Sequence, residues 1–95
     1  MDKVIVITGG SRGIGAATAV LAARQGYRIC INYLADDAAA HEVLEQVRAL
    51  GAQAITVQAD VSNEDEVNSL FARVDLELGP VTALVNNAGT VGHKS

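Results

Sequence analysis

Gly9, Gly13 and Gly15 stand between an apolar run, Val4-Ile5-Val6-Ile7, and an alanine-rich stretch from Ala16 to Arg24. A strand, a glycine turn and a helix in that order give the glycines a chemical meaning. Gly9 supplies the backbone angles of a tight strand-to-helix turn, where a Cβ would clash. Gly13 lets the main chain approach a phosphate, and Gly15 lets the new helix lie close to the sheet. The first amides of that helix have no partner inside it, so they point at whatever lies in front. An anionic diphosphate is the natural occupant. Ser11, Arg12 and Ile14 fill the turn between the glycines.

Further segments able to hold a ligand are Asn32-Tyr33, Asp60-Val61 and Asn86-Asn87-Ala88-Gly89. Each of them closes an apolar run, as the glycine turn does. Other chemistry is absent from the pattern. Cys30 stands alone inside an apolar run, and His41 and His93 lie far apart, so no set of metal ligands exists. Cys30 reads as a small buried hydrophobe. A lone cysteine forms no disulfide within the chain, which fits a reducing cytoplasm. The formal net charge of −4 argues against a nucleic-acid-binding surface. No apolar run approaches the roughly 20 residues that span a membrane. Met1 leads within two residues into a strand, so no secretory signal is expected in front of it.

The elements that must position these groups follow from periodicity. Ninety-five residues, 49% of them hydrophobic, suit one small packed domain at most. Lys3 to Thr8 reads as a first strand, apolar on both faces as in a parallel sheet covered on both sides. Gly13 to Gln25 reads as the first helix, with Ile14, Ala17, Thr18 and Leu21 along one face. Its alanines favour helix and keep that face thin. Gly26 ends it. Tyr27 to Tyr33 is the second strand, and Asp36 or Asp37 opens a second helix. Ala40, Val43, Leu44, Val47 and Leu50 form that helix's stripe. Ala54 to Ala59 is the third strand. Ser62 is the expected N-cap of a third helix with Val67, Leu70, Phe71, Val74 and Leu78 inward. Gly79-Pro80 stops it, and Val81 to Val85 is the fourth strand.

Strands alternating with helices make the fold class α/β with a parallel sheet. Right-handed crossovers give the strand order 3-2-1-4, with the switch point between strands 1 and 4. Ligands bind beyond the carboxyl ends of such strands. The four suggestive segments all fall there, which argues for one extended ligand lying across the sheet.

With Thr8-Gly9-x-x-x-Gly13-x-Gly15, Asp60-Val61 and Asn86-Asn87-Ala88-Gly89 in place, the chain resembles the N-terminal part of a short-chain dehydrogenase/reductase. The local flavour is similar to 3-oxoacyl-carrier-protein reductases and glucose-dehydrogenase-like members. The resemblance implies a Rossmann-type fold and an NADP-dependent oxidoreductase moving hydride between nicotinamide and a carbonyl or alcohol substrate. It implies that Asp60 accepts a hydrogen bond from the adenine amino group, with the Val61 main chain beside the ring. An ionised carboxylate is acceptor-only and suits that task. Asn87, Ala88 and Gly89 would line the cofactor ribose. The alternatives are that Asp60 caps the helix after it and that the asparagines are turn residues.

NADP is expected over NAD. NAD-binding folds usually carry Asp or Glu at the end of strand 2, to hold the ribose 2′-hydroxyl. Here Asn32 and Tyr33 are uncharged, and Arg12 is placed to reach a 2′-phosphate. Asp36 and Asp37 are the rival evidence for NAD, read here as helix-start residues. The family's catalytic serine, tyrosine and lysine lie downstream of the Asn-Asn-Ala-Gly element. Tyr27 and Tyr33 have no lysine four residues later, so no catalytic residue is assigned. Residues 1–95 thus read as a partial NAD(P)-binding domain, the front of a longer enzyme that forms homo-oligomers. Alone, it should turn over no substrate, and its strand 4 would be an exposed apolar edge prone to association. A non-catalytic dinucleotide-binding module is the competing reading. A methyltransferase with a similar glycine turn is disfavoured by Asn-Asn-Ala-Gly.

Overall fold

The computed structural model describes residues 3–87. Its elements run β1 (Val4–Thr8), α1 (Gly13–Arg24), β2 (Arg28–Tyr33), α2 (Asp37–Ala49), β3 (Ala54–Gln58), α3 (Glu64–Glu77) and β4 (Ala83–Asn86). The strands form one parallel sheet in the order β3-β2-β1-β4. The expected α/β architecture and strand order are therefore found. Gly10, Asn32 and Asn86 end up at the same edge of the sheet because Ile7 pairs with Ile31 and Thr8 with Asn86.

Alternation along β1 and β2 divides the core in two. Ile5, Ile7, Ile29 and Ile31 face α1 and α2, where they meet Ala19, Ala40, Val43 and Val47. Val4, Val6 and Cys30 face the other way and pack on Leu70 and Val74 of α3 and on Leu78, its C-cap. Every residue of β1 is buried, as a strand covered on both faces must be. Burying a Val or Ile side chain contributes about 1.5–3 kcal/mol, so the two β-branched layers dominate the sheet's stability. Thr82 fastens the start of β4: its hydroxyl donates to the Val4 carbonyl at 3.1 Å and accepts from the Val4 amide at 3.0 Å.

The face of α1 differs from the expectation. Ile14 and Leu21 are exposed, at 76% and 58%, while Gly15, Ala19, Ala22 and Ala23 are buried. The smaller residues turn inward because α1 must lie against the glycine turn and the sheet at short range. Larger side chains on that face would hold the helix away. The stripe of α2 is as expected except for Leu50, which is 45% exposed at the helix end. Leu70 and Val74 of α3 and the C-cap Leu78 are buried, and Phe71 packs against them partly buried.

The N-cap of α3 also differs. Asn63, not Ser62, caps the helix, its side chain accepting from the Glu66 amide at 3.1 Å. Ser62 is held instead by Asp60, which accepts from its amide at 2.9 Å and its hydroxyl at 2.6 Å. Two good capping residues stand side by side, and the turn closed by Asp60 decides between them. No helix among the described residues is long and apolar enough to cross a membrane.

Candidate functional site

At the carboxyl end of the sheet lies a cleft of about 560 Å³. Gly9, Ser11, Arg12, Asn32, Tyr33, Asp60, Val61 and Asn87 line it. These are sequence-predicted residues from all four strand ends, brought to one place. Gly13, Ile14 and Gly15 form the first turn of α1 and are not among the residues that line the cleft. Ala88 and Gly89 lie outside the described residues. Leu34, Ala35, Asp36 and Ser62 also line the cleft; the sequence offers Asp36 as rival evidence for NAD but marks Leu34, Ala35 and Ser62 as no part of a site. Their only signal was position, just past the ends of strands 2 and 3.

The glycine turn is built from its neighbours. Gly9 and Gly13 have φ of 63° and 54°, the left-handed region that favours glycine. A Cβ on Gly13 would meet nothing within 4 Å. Its conformation, not crowding by the protein, calls for glycine, and the space beside it is open to a ligand. Gly15 is the reverse case. A Cβ there would fall 2.4 Å from the Gly9 carbonyl oxygen and 3.0 Å from the Asn87 side-chain nitrogen.

Asn32 ties three strand ends together. It is 2% exposed. Its side-chain oxygen accepts from the Gly9 amide at 3.3 Å, and its nitrogen donates to the Val57 and Ala59 carbonyls at 3.3 and 3.2 Å. Its own carbonyl accepts from the Gly10 amide at 3.0 Å. Asn32 therefore shapes the cleft floor and holds the glycine turn to β2 and β3. Asn87 does the same from β4, donating to the Gly9 carbonyl at 3.0 Å.

The three helix starts are unlike one another. α2 is capped by Asp36, which accepts from the Ala39 amide at 3.0 Å. α3 is capped by Asn63 and has Glu64, Asp65 and Glu66 in its first turn. α1 follows Arg12, which makes no side-chain cap, and its first turn holds no acidic residue. The amides at the start of α1 thus keep their partial positive charge for an outside anion.

Charged groups ring the cleft. Arg12 pairs with Asp36, and this hydrogen bond, with the one from the Ala39 amide, holds the Asp36 carboxyl below the usual carboxylate range. Asp60 is also held low, by the Ser62 hydroxyl and amide. Both Ser62 contacts fall on Oδ1. The Tyr33 hydroxyl donates to Asp37 at 2.5 Å, which pushes its pKa up. Among the described residues no three His, Cys, Asp or Glu side chains come together as metal ligands.

This geometry fits a dinucleotide: an uncapped helix start behind an open glycine, a ring of polar groups across the strand ends, and a cleft spanning the switch point between β1 and β4. The family model for short chain dehydrogenases matches residues 3–95. The chain belongs to the short chain dehydrogenase family. It is 45% identical over 86 residues to the uncharacterized oxidoreductase YgfF of Escherichia coli, covering 90% of this chain and 35% of that protein. It is 39% identical over 89 residues to the 3-oxoacyl-[acyl-carrier-protein] reductase FabG of Staphylococcus epidermidis, covering 94% and 36%. The crystal structure of a Burkholderia cenocepacia protein with bound NADP superposes with a TM-score of 0.85 at 34% identity, covering 90% and 33%. The chain thus spans about a third of the length of the relatives it matches.

Proposed function

We propose that this chain is the cofactor-holding part of an NADP-dependent oxidoreductase that interconverts a carbonyl and an alcohol. The start of α1, which has no side-chain cap and has open space beside Gly13, is the observation that carries this reading. In it, the diphosphate lies against the first amides of α1, where Gly13 offers no side chain to block it. Asp60 keeps Oδ2 clear of Ser62 and receives the adenine amino group, with Val61 beside the ring. Asn87 lines the ribose toward the nicotinamide. The bound cofactor supplies or accepts the hydride, and the protein orients it.

Arg12 at the cleft rim and the uncharged pair Asn32-Tyr33 at the end of β2 support NADP over NAD. The NADP bound to the Burkholderia cenocepacia relative accords with that choice. Cys30, buried and without a disulfide, accords with a reducing compartment such as the cytoplasm.

The test is NADPH oxidation by the intact protein, followed against a panel of ketones and 3-oxoacyl thioesters. Oxidation that depends on one of these carbonyl compounds is expected. Saturable NADPH binding with no turnover of any of them would favour a dinucleotide-binding module without catalysis.

A further inference from the structure

We infer that Glu66 is a positioning residue for the base of the cofactor, acting through Asp60. The inference rests on the reading above that Asp60 receives the adenine amino group. Glu66 does not itself line the cleft. Its Oε1 accepts from the Asp60 amide at 2.8 Å. The other side of the same planar peptide is held as well, since the Ala59 carbonyl accepts from the buried Asn32 side chain at 3.2 Å. This peptide lies beyond the last ladder pair of β2 and β3, Tyr33 with Gln58. Side chains from β2 and α3, not strand pairing, fix it.

The bond is not the usual one for a glutamate in a first helical turn. In a capping box that side chain returns to the amide of the N-cap residue. Here the N-cap is Asn63, whose amide already donates to the Asp60 carbonyl at 2.9 Å. Glu66 reaches three residues further back, to the amide of the residue whose carboxylate faces the base. Ser62 completes the arrangement by holding Oδ1 of Asp60 through its amide and hydroxyl, which leaves Oδ2 for the adenine amino group. With its peptide and its carboxylate both held, Asp60 presents Oδ2 in one direction. A recognition group needs such support to keep its geometry within about 0.5 Å.

The test compares dissociation constants for NADPH and its hypoxanthine analogue, which carries a carbonyl in place of the adenine amino group. The intact protein is measured beside Glu66→Ala, Glu66→Asp, Glu66→Gln and Asp60→Ala. Wild type should prefer NADPH about tenfold, the worth of a hydrogen bond to a charged acceptor. Asp at position 66 keeps a negative charge in the first turn of α3 but is one methylene too short to reach the Asp60 amide. Glu66→Ala and Glu66→Asp should therefore lower the preference at least about threefold, by weakening NADPH and leaving the analogue within about twofold. Gln offers an acceptor at the original reach, so Glu66→Gln should keep the preference within about twofold of wild type. Melting temperatures report folding, and if Glu66→Ala fails to fold, the Asp and Gln variants carry the comparison. An unchanged preference in Glu66→Asp, or equal weakening of both ligands, overturns the role of Glu66 when Asp60→Ala abolishes the preference. If wild type shows no preference, or Asp60→Ala retains it, the placement of the amino group at Asp60 fails and this inference fails with it, while saturable NADPH binding leaves the cofactor reading standing.

Discussion

Gly15 faces the backbone of Gly9 so closely that a Cβ on Gly15 would fall 2.4 Å from the Gly9 carbonyl oxygen. That contact sets how near α1 lies to the glycine turn, and so where the helix start points. Backbone cannot swing aside as a long side chain does. Gly15→Ala should therefore destabilise the protein by about 1–3 kcal/mol or more, the usual range for overpacking. Gly13→Ala has room for its methyl and only a left-handed φ to sustain, at about 1 kcal/mol. Urea unfolding of the two variants checks the order. Equal midpoints would show that the helix does not approach the turn this closely.

Asn32 should matter for stability more than for direct contact with a ligand. Its buried side chain makes hydrogen bonds to the glycine turn at Gly9, to β3 and to the residue after β3. Asn32→Leu leaves the Gly9 amide and two carbonyls without that partner. A loss of about 2–4 kcal/mol is expected, since each unsatisfied buried group costs about 1–3 kcal/mol. Thermal or urea unfolding reads it. A variant as stable as wild type would mean that the clamp contributes nothing.

Much of this was legible in the sequence, and what was not has physical reasons. The sheet order followed from strands that alternate with helices, and the cleft from what stands at their ends. The inward face of α1 was misread because Ile14 and Leu21 are the larger apolar residues. Close packing on Gly9 selects small ones instead, a demand set by the glycine turn and the sheet and not by periodicity. The α3 cap was misassigned because Ser62 and Asn63 are both good caps, and the Asp60 turn settles the choice. Asp36 was read as a helix-start residue, which it is. Its pairing with Arg12 is a long-range contact that no local pattern encodes.

Cys30 should be inert in the folded protein. Burial pushes its thiol up to about 12, and only the thiolate reacts. A thiol reagent at pH 8 should label it in urea and leave it untouched in buffer. The same shift fixes a pH dependence. An unfolded thiol ionises near about pH 8.5, while the folded one stays neutral to about 12. The unfolded state then binds fewer protons, so stability falls as pH rises through that window. Cys30→Ala should flatten the alkaline slope. An unchanged slope, or rapid labelling of the folded protein, would place Cys30 outside the core.

The central claim is that the start of α1 holds the cofactor diphosphate, and Gly13→Asp tests it most directly. Asp tolerates a left-handed backbone better than most residues, and a carboxylate suits a helix start. The variant should therefore melt within a few degrees of wild type, roughly the shift of a 1 kcal/mol change. Its carboxylate would nevertheless sit where the diphosphate belongs. Calorimetric titration of the intact protein with NADPH should give saturable binding for wild type and at least about a hundredfold weaker binding for Gly13→Asp, by direct blockage and charge repulsion. Equal NADPH affinity in a folded Gly13→Asp protein would contradict the claim.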